Sequence, residues 1–163
     1  MIVALRVDER LIHGQIAMTW SKELKIKGIV VPNDEAAGNE MQKMALKMAV
    51  PSGIKVLIKP VDDAIKVLNN PKAANMRMLV IVKTIKDAVR VVEKVPNIEY
   101  VNIGNVGKAV NGKKTELSSF VLLTDEELEN LKKLVELEPK TALQVVPSAE
   151  KKLAKDLLAS VKK

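Results

Sequence analysis

Apolar residues alternate along the chain between short β-branched runs and longer stretches with helical spacing. The short runs predict strands over 2–7, 27–31, 54–58, 78–82, 98–103, 120–123 and 141–146. The helical spacings predict helices over 14–22, 36–49, 61–68, 85–94, 125–137 and 148–161. Two helix starts are marked by their own chemistry. Thr84 precedes one apolar-periodic stretch as an N-cap, and Thr124 with Glu127 three residues on forms a capping box at another. Pro51-Ser52-Gly53, Asn69-Asn70-Pro71 and Pro139 punctuate the helix ends.

This repeated alternation of strand and helix predicts an α/β fold, a doubly wound, mainly parallel sheet with helices on both faces. No repeat, linker or low-complexity segment divides residues 1–163, so a single domain is expected. Met41, Met44, Ala45 and Met48 share one helical stripe, which is read as core-facing in preference to an adaptable groove.

Composition narrows the chemistry. The 163 residues include no cysteine and a single histidine, which excludes disulfide frameworks, thiol nucleophiles and every metal site built on two imidazoles. Twenty-seven Lys and Arg against twenty Asp and Glu give a formal charge of +7, which favours anionic partners. One Trp, one Tyr and one Phe are too few for a base-stacking platform, so nucleic acid is not an expected partner. No stretch approaches the roughly 20 apolar residues of a spanning helix, and no secretory signal is visible, so a cytoplasmic location is expected.

In a sheet of this kind ligands collect beyond the carboxyl ends of the strands, where strand order reverses. The loop after the first strand carries Asp8, Glu9, Arg10 and His13, and Lys83 and Thr84 follow the fourth strand. The two loops share a crevice if those strands are neighbours. A neutral imidazole at His13 can attack phosphorus and hold it as a phosphoramidate, and Arg10 offers a planar fork of donors to the phosphate oxygens. The amides around Gly14 and Gln15 open the next helix and add further donors. Asp8 and Glu9 are candidates for orienting Arg10 or the imidazole, Lys83 and Thr84 for holding phosphate oxygens, and Asn33 and Asp34 for bordering the crevice. Gly104-Asn105-Val106-Gly107 lacks the residues of a P-loop or a dinucleotide fingerprint and reads as a tight turn near the crevice.

The segment Leu5-Arg6-Val7-Asp8-Glu9-Arg10-Leu11-Ile12-His13-Gly14-Gln15-Ile16 resembles the signature of mannose/sorbose-family IIB subunits of the bacterial sugar phosphotransferase system. Trp20, Asn33-Asp34, Pro51-x-Gly53, Lys83-Thr84, Val101-Asn102-Ile103-Gly104 and Leu122-Leu123-Thr124-Asp125-Glu126-Glu127 extend the likeness along the chain. Glu9 and the Gly104–Gly107 turn depart from the commoner pattern.

The resemblance implies a sheet with one antiparallel strand near an edge, and a phosphocarrier that takes a phosphoryl group from a phosphorylated IIA domain onto Nδ1 of His13. His13 then passes it to a sugar of the mannose, fructose, sorbose or amino-sugar class held by membrane IIC and IID subunits, with Arg10 assisting and the protein peripheral to that permease. No cofactor or metal is implied. The charge alone leaves open a basic polyanion- or RNA-binding module without catalysis, and the sequence leaves homodimer formation undecided.

Overall fold

The computed structural model describes residues 1–161, with Gln15 described by its backbone. In chain order its elements begin with β1 (Ile2–Val7), α1 (Gly14–Glu23), β2 (Gly28–Pro32), α2 (Asp34–Ala37), α3 (Glu40–Met48) and β3 (Lys55–Lys59). There follow α4 (Val61–Leu68), a 3-10 turn at Pro71–Asn75, β4 (Met78–Val82), α5 (Ile85–Lys94) and β5 (Val101–Ile103). The chain continues through β6 (Thr115–Ser118), β7 (Val121–Leu123), α6 (Asp125–Leu137), β8 (Ala142–Leu143), β9 (Lys152–Leu153) and α7 (Ala154–Ala159).

The main sheet has the order β3-β2-β4-β1-β5-β8-β9, all parallel except for β9, which runs antiparallel to β8 at the edge. β6 and β7 form a separate antiparallel hairpin. The central strands β1, β2 and β4 are buried at every position, because helices cover both faces and no residue of these strands is left for water. Two apolar clusters result. One packs α4, α5, α6 and α7 against Leu5, Val7, Val80 and Val82; the other packs α1, α2 and α3 against Ala4, Ile29, Val31 and Leu79. The chain leaves β1 toward one face and β4 toward the other, so the crevice expected at a reversal of strand order lies between these two neighbours.

Several boundaries differ from the sequence pattern. The helix expected over 36–49 is two helices, because Gly38 ends the first and the side chain of Asn39 accepts from the Gln42 N–H to start the second. Its methionine stripe does not face the core. Met41, Met44 and Met48 are 84%, 65% and 81% exposed, and Leu46, on the opposite side, is the one α3 residue buried in the cluster. The strand expected over 141–146 pairs at only two residues, and the last helix begins at Ala154, after β9, instead of at 148. The strand expected over 98–103 starts at Val101, Ile98 making only an isolated bridge to Ile2. β6 occupies residues to which the sequence pattern assigns no element, just before the strand expected over 120–123.

Candidate active site at the end of the first strand

Val7 pairs with Val82 and Ile103, so Asp8, Lys83 and Gly104 leave the sheet side by side. The Asp8 N–H donates to the Val82 carbonyl at 2.9 Å, and the Glu9 N–H donates to the Asn105 carbonyl at 2.8 Å, locking three loops together at their roots. The loop from Asp8 to His13 then turns tightly. The Leu11 N–H donates to the Asp8 carbonyl at 2.9 Å with Leu11 at φ 58, a left-handed conformation that costs a branched side chain about 1–2 kcal/mol. Burial of Leu11 and Ile12 in the α1-face cluster offsets that strain.

Asp8 is the hub. Its carboxylate is fully buried and receives four donors: Arg6 Nη2 at 3.1 Å, the Arg10 backbone N–H at 3.0 Å, Asn105 Nδ2 at 3.2 Å and the His13 imidazole Nε2 at 3.1 Å. Because an ionised carboxylate only accepts, the His13 nitrogen facing it carries the proton, which leaves the Nδ1 lone pair free. The His13 side chain is 12% exposed, and among the described residues Nδ1 makes no hydrogen bond. His13 is also the N-cap of α1 and makes no side-chain capping bond there, and the first turn of α1 carries no acid. The leading amides of that helix therefore keep their donors and their positive partial charge beside the imidazole.

Behind Asp8 lies a buried polar layer. Arg6, the one charged residue in an otherwise apolar strand, is 1% exposed and donates from Nη1 to the Asn102 side-chain oxygen and to the Gln144 carbonyl. Its guanidinium stands 5.2 Å from the centre of the Trp20 ring, and the Trp20 indole N–H donates to the Val145 carbonyl at 3.0 Å. Burial pulls the Arg6 guanidinium below its ordinary value, and the charge and hydrogen bond of Asp8 pull it back up. A side chain at Gly104 has no room: a Cβ there stands 2.4 Å from the Arg6 guanidinium carbon.

Other candidates fall in distinct places. The Arg10 side chain is exposed and makes no ion pair or hydrogen bond among the described residues. Gly14 sits at φ 38, the left-handed region that glycine tolerates, with open space around it. Gln15 follows in the first turn of α1; its side chain lies outside the described residues. Thr84 accepts from the Asp87 N–H at 3.1 Å as the N-cap of α5, and Lys83 approaches Glu35 to 3.9 Å.

Lys83 and Thr84 border a cavity of about 500 Å³ whose other walls include Val106, Gly107, Leu122 and Glu9. Glu9 does not reach the imidazole; its two oxygens accept the Lys108 and Ala109 N–H groups at 3.0 Å and pin the 104–114 loop over the site. Asn33 and Asp34 serve as caps, the first accepting from Ala36 N–H at 2.8 Å and the second from Val61 N–H at 2.8 Å. Sequence reasoning missed Arg6 and Asn105. A lone cation inside an apolar strand was the available signal for Arg6.

A mainly parallel doubly wound sheet, with one imidazole held by a buried acid at its switch point, defines a small α/β domain with a single candidate nucleophile. Residues 2–163 match the family model described as the PTS system sorbose subfamily IIB component, and the chain belongs to that family. It is 47% identical over 155 residues to a probable phosphotransferase enzyme IIB component of Streptococcus pyogenes serotype M6, a match covering 93% of this chain and 95% of that one. It is 35% identical over 162 residues to the sorbose-specific EIIB component of Lacticaseibacillus casei, covering 99% and 96%. The crystal structure of the IIBSor domain of the sorbose permease from Klebsiella pneumoniae superposes with a TM-score of 0.91 at 28% identity, covering 99% of this chain and 98% of that one. The chain is thus a phosphotransfer subunit of IIB type, and the alternative of a polyanion-binding module finds no support among these relatives. No helix among the described residues is long and apolar enough to cross a membrane.

Proposed function

We propose that His13 is the phosphoryl carrier, that Nδ1 is the atom phosphorylated, and that Asp8 and Arg10 divide the work of supporting it. The observation that carries this reading is the 3.1 Å contact of His13 Nε2 with the buried Asp8 carboxylate, which fixes the proton on that nitrogen and leaves the other one nucleophilic. In the first transfer, the Nδ1 lone pair forms a bond to phosphorus as the bond from phosphorus to the donor histidine of a IIA domain breaks, and the donor ring keeps that electron pair. The Nε2 proton stays in place, and the positive charge that develops on the ring is opposed by Asp8.

In the second transfer a sugar hydroxyl oxygen bonds to phosphorus as the P–N bond breaks and its electrons return to Nδ1, and the hydroxyl proton passes to a base of the sugar-binding subunit or to water. The transferring group spreads negative charge over its equatorial oxygens, so positioning and charge are what the protein must supply. Arg10, exposed and uncommitted, is suited to swing onto those oxygens, and the leading amides of α1 at Gly14 and Gln15 follow His13 directly in the chain. Lys83 borders the neighbouring cavity and is a further source of positive charge, whereas Thr84 is spent on its cap. The sugar acceptor sits with IIC and IID subunits in the membrane, so the chain works as a phosphohistidine–sugar phosphotransferase peripheral to that permease.

The test is phosphorylation of the full chain by phosphoenolpyruvate, the general energy-coupling proteins and a cognate IIA domain. One acid-labile, base-stable phosphate per chain is expected, absent in His13→Gln, with the phosphorus bonded to Nδ1 by NMR. Labelling that survives in His13→Gln overturns the assignment.

A further inference from the structure

The loop over residues 108–114 carries reactive chemistry of its own. Asn111 is followed by Gly112, and both are exposed and lie outside every helix and strand. Among the described residues, neither the Asn111 carboxamide nor the Gly112 N–H makes a hydrogen bond. Gly112 sits at φ 105, a left-handed conformation that favours glycine, and a Cβ built on it meets nothing within 4 Å. Its nitrogen is therefore uncommitted, and no side chain of its own shields it.

No other asparagine in the sequence is followed by glycine. Asn102 and Asn105 engage their side-chain amides in the buried network around Arg6 and Asp8, and Asn130 engages its own with Glu127. Asn75 and Asn97 are exposed, but Met76 and Ile98 follow them and place a side chain beside the backbone nitrogen.

We propose that Asn111 is a site of spontaneous self-modification, whose isoaspartyl product unclasps the loop beside the site. The Gly112 backbone nitrogen bonds to Cγ of Asn111, and the carboxamide nitrogen leaves as ammonia. The proton of the Gly112 N–H passes through solvent to that leaving nitrogen. A five-membered succinimide results, its closure favoured because both reacting groups belong to neighbouring residues. Water then adds to one of the two ring carbonyls and opens the ring to aspartate or to isoaspartate, in which the main chain runs through the former side-chain carbon. One water enters, one ammonia leaves, and nothing is oxidised or reduced.

The product matters because of what this turn holds. Lys114 Nζ donates to the Gly107 and Val110 carbonyls at 2.7 Å each, closing the chain across residues 111 and 112. Just before them, Glu9 accepts from the Lys108 and Ala109 N–H groups. Isoaspartate inserts one carbon into the main chain between Val110 and Lys114 and adds a carboxylate that competes for the Lys114 ammonium. The stretch that walls the cavity beside Lys83 is thereby released. This chemistry needs neither phosphate nor a partner subunit, so it stands apart from the role of His13.

The experiment incubates the full chain in mildly alkaline buffer and follows every asparagine by peptide mass spectrometry, with fragmentation that separates aspartate from isoaspartate. Asn111 should react ahead of every other asparagine, at a rate within about tenfold of that in the guanidinium-unfolded chain, since the fold does not tie up its reacting groups. Asn111→Gln should slow loss of ammonia at this position about tenfold or more, because glutamine has to close a less favourable six-membered ring. The isoaspartyl form, separated by ion exchange, should exchange its Lys108 and Ala109 amides with deuterium about threefold faster or more. The proposal is overturned if another asparagine of the folded chain reacts faster, if folding protects Asn111 more than about tenfold, if Asn111→Gln reacts as fast as the parent, or if exchange at Lys108 and Ala109 is unchanged in the isoaspartyl form.

Discussion

At the scale of residues, the site depends on one buried charge being answered from two sides. Asp8 and Arg6 are 0% and 2% exposed in their side chains, so neither can be removed alone without leaving the other as an uncompensated charge. Asp8→Ala is expected to destabilise the fold by about 3 kcal/mol or more in urea unfolding, and to slow phosphorylation of His13 about a hundredfold or more as the ring loses its fixed tautomer. Pairing it with Arg6→Met should recover much of the stability and none of the rate. Recovery of both would show that Asp8 acts on the fold alone. Arg10 and His13 were legible as candidates because a cation three positions from an imidazole, in a loop leaving a strand, is a local pattern. Asn105 was not legible as a partner of Asp8, because 97 residues separate them and only the pairing of β1 with β5 brings them together.

At the scale of elements, α5 and α6 meet through a carboxylate. Glu127 in the first turn of α6 sits against the opening amides of α5 at Ile85 and Lys86. Burial pushes its carboxyl above the usual range, while Asn130 and those amides pull it part of the way back. A group whose value is raised by folding contributes stability that is complete below its unfolded value, about 4.3, and is lost as pH rises through the raised folded one. Glu127→Gln mimics the protonated form, so its Tm should equal that of the parent in acid and exceed it at neutral pH, followed by thermal melts across that window. A gap that is constant with pH contradicts this.

The strands and most helices were legible because buried parallel strands read as unbroken apolar runs. The α3 stripe was misread for a physical reason: periodicity says which residues share a side of a helix, not which side turns inward. With a single Leu46 pointing in and three methionines pointing out, the more apolar side is the solvent side. The β6–β7 hairpin escaped detection because Thr115-Glu116-Leu117-Ser118 carries little apolar signal and its pairing partner supplies the order.

At the scale of the whole molecule, the formal charge of +7 governs encounter more than stability. If the basic surface steers the IIA donor, transfer should slow as ionic strength rises from about 50 to 300 mM, mainly through the association rate, since exposed charges are screened within about 10 Å. A stopped-flow rate independent of salt would remove long-range steering from the mechanism. The helices divide the labour by face: α4, α5, α6 and α7 close one side of the sheet, while α1, α2 and α3 cover the other with fewer elements. The crevice expected from strand order lies where β1 and β4 part. That much followed from alternation of elements, but the neighbourhood of the two strands did not, because strand order is set by long-range packing.

The crowding of Gly104 against the Arg6 guanidinium carries an implication for anyone exchanging loops between relatives of this chain. Position 104 touches neither reactive ring nor carboxylate, yet even a methyl placed there must evict the cation that neutralises Asp8. The two positions are therefore coupled: a graft that brings a bulkier residue to the fifth strand's exit displaces the guanidinium from Asp8 and leaves the imidazole beside an unbalanced acid, so that exit has to stay a glycine as long as Arg6 and Asp8 are kept.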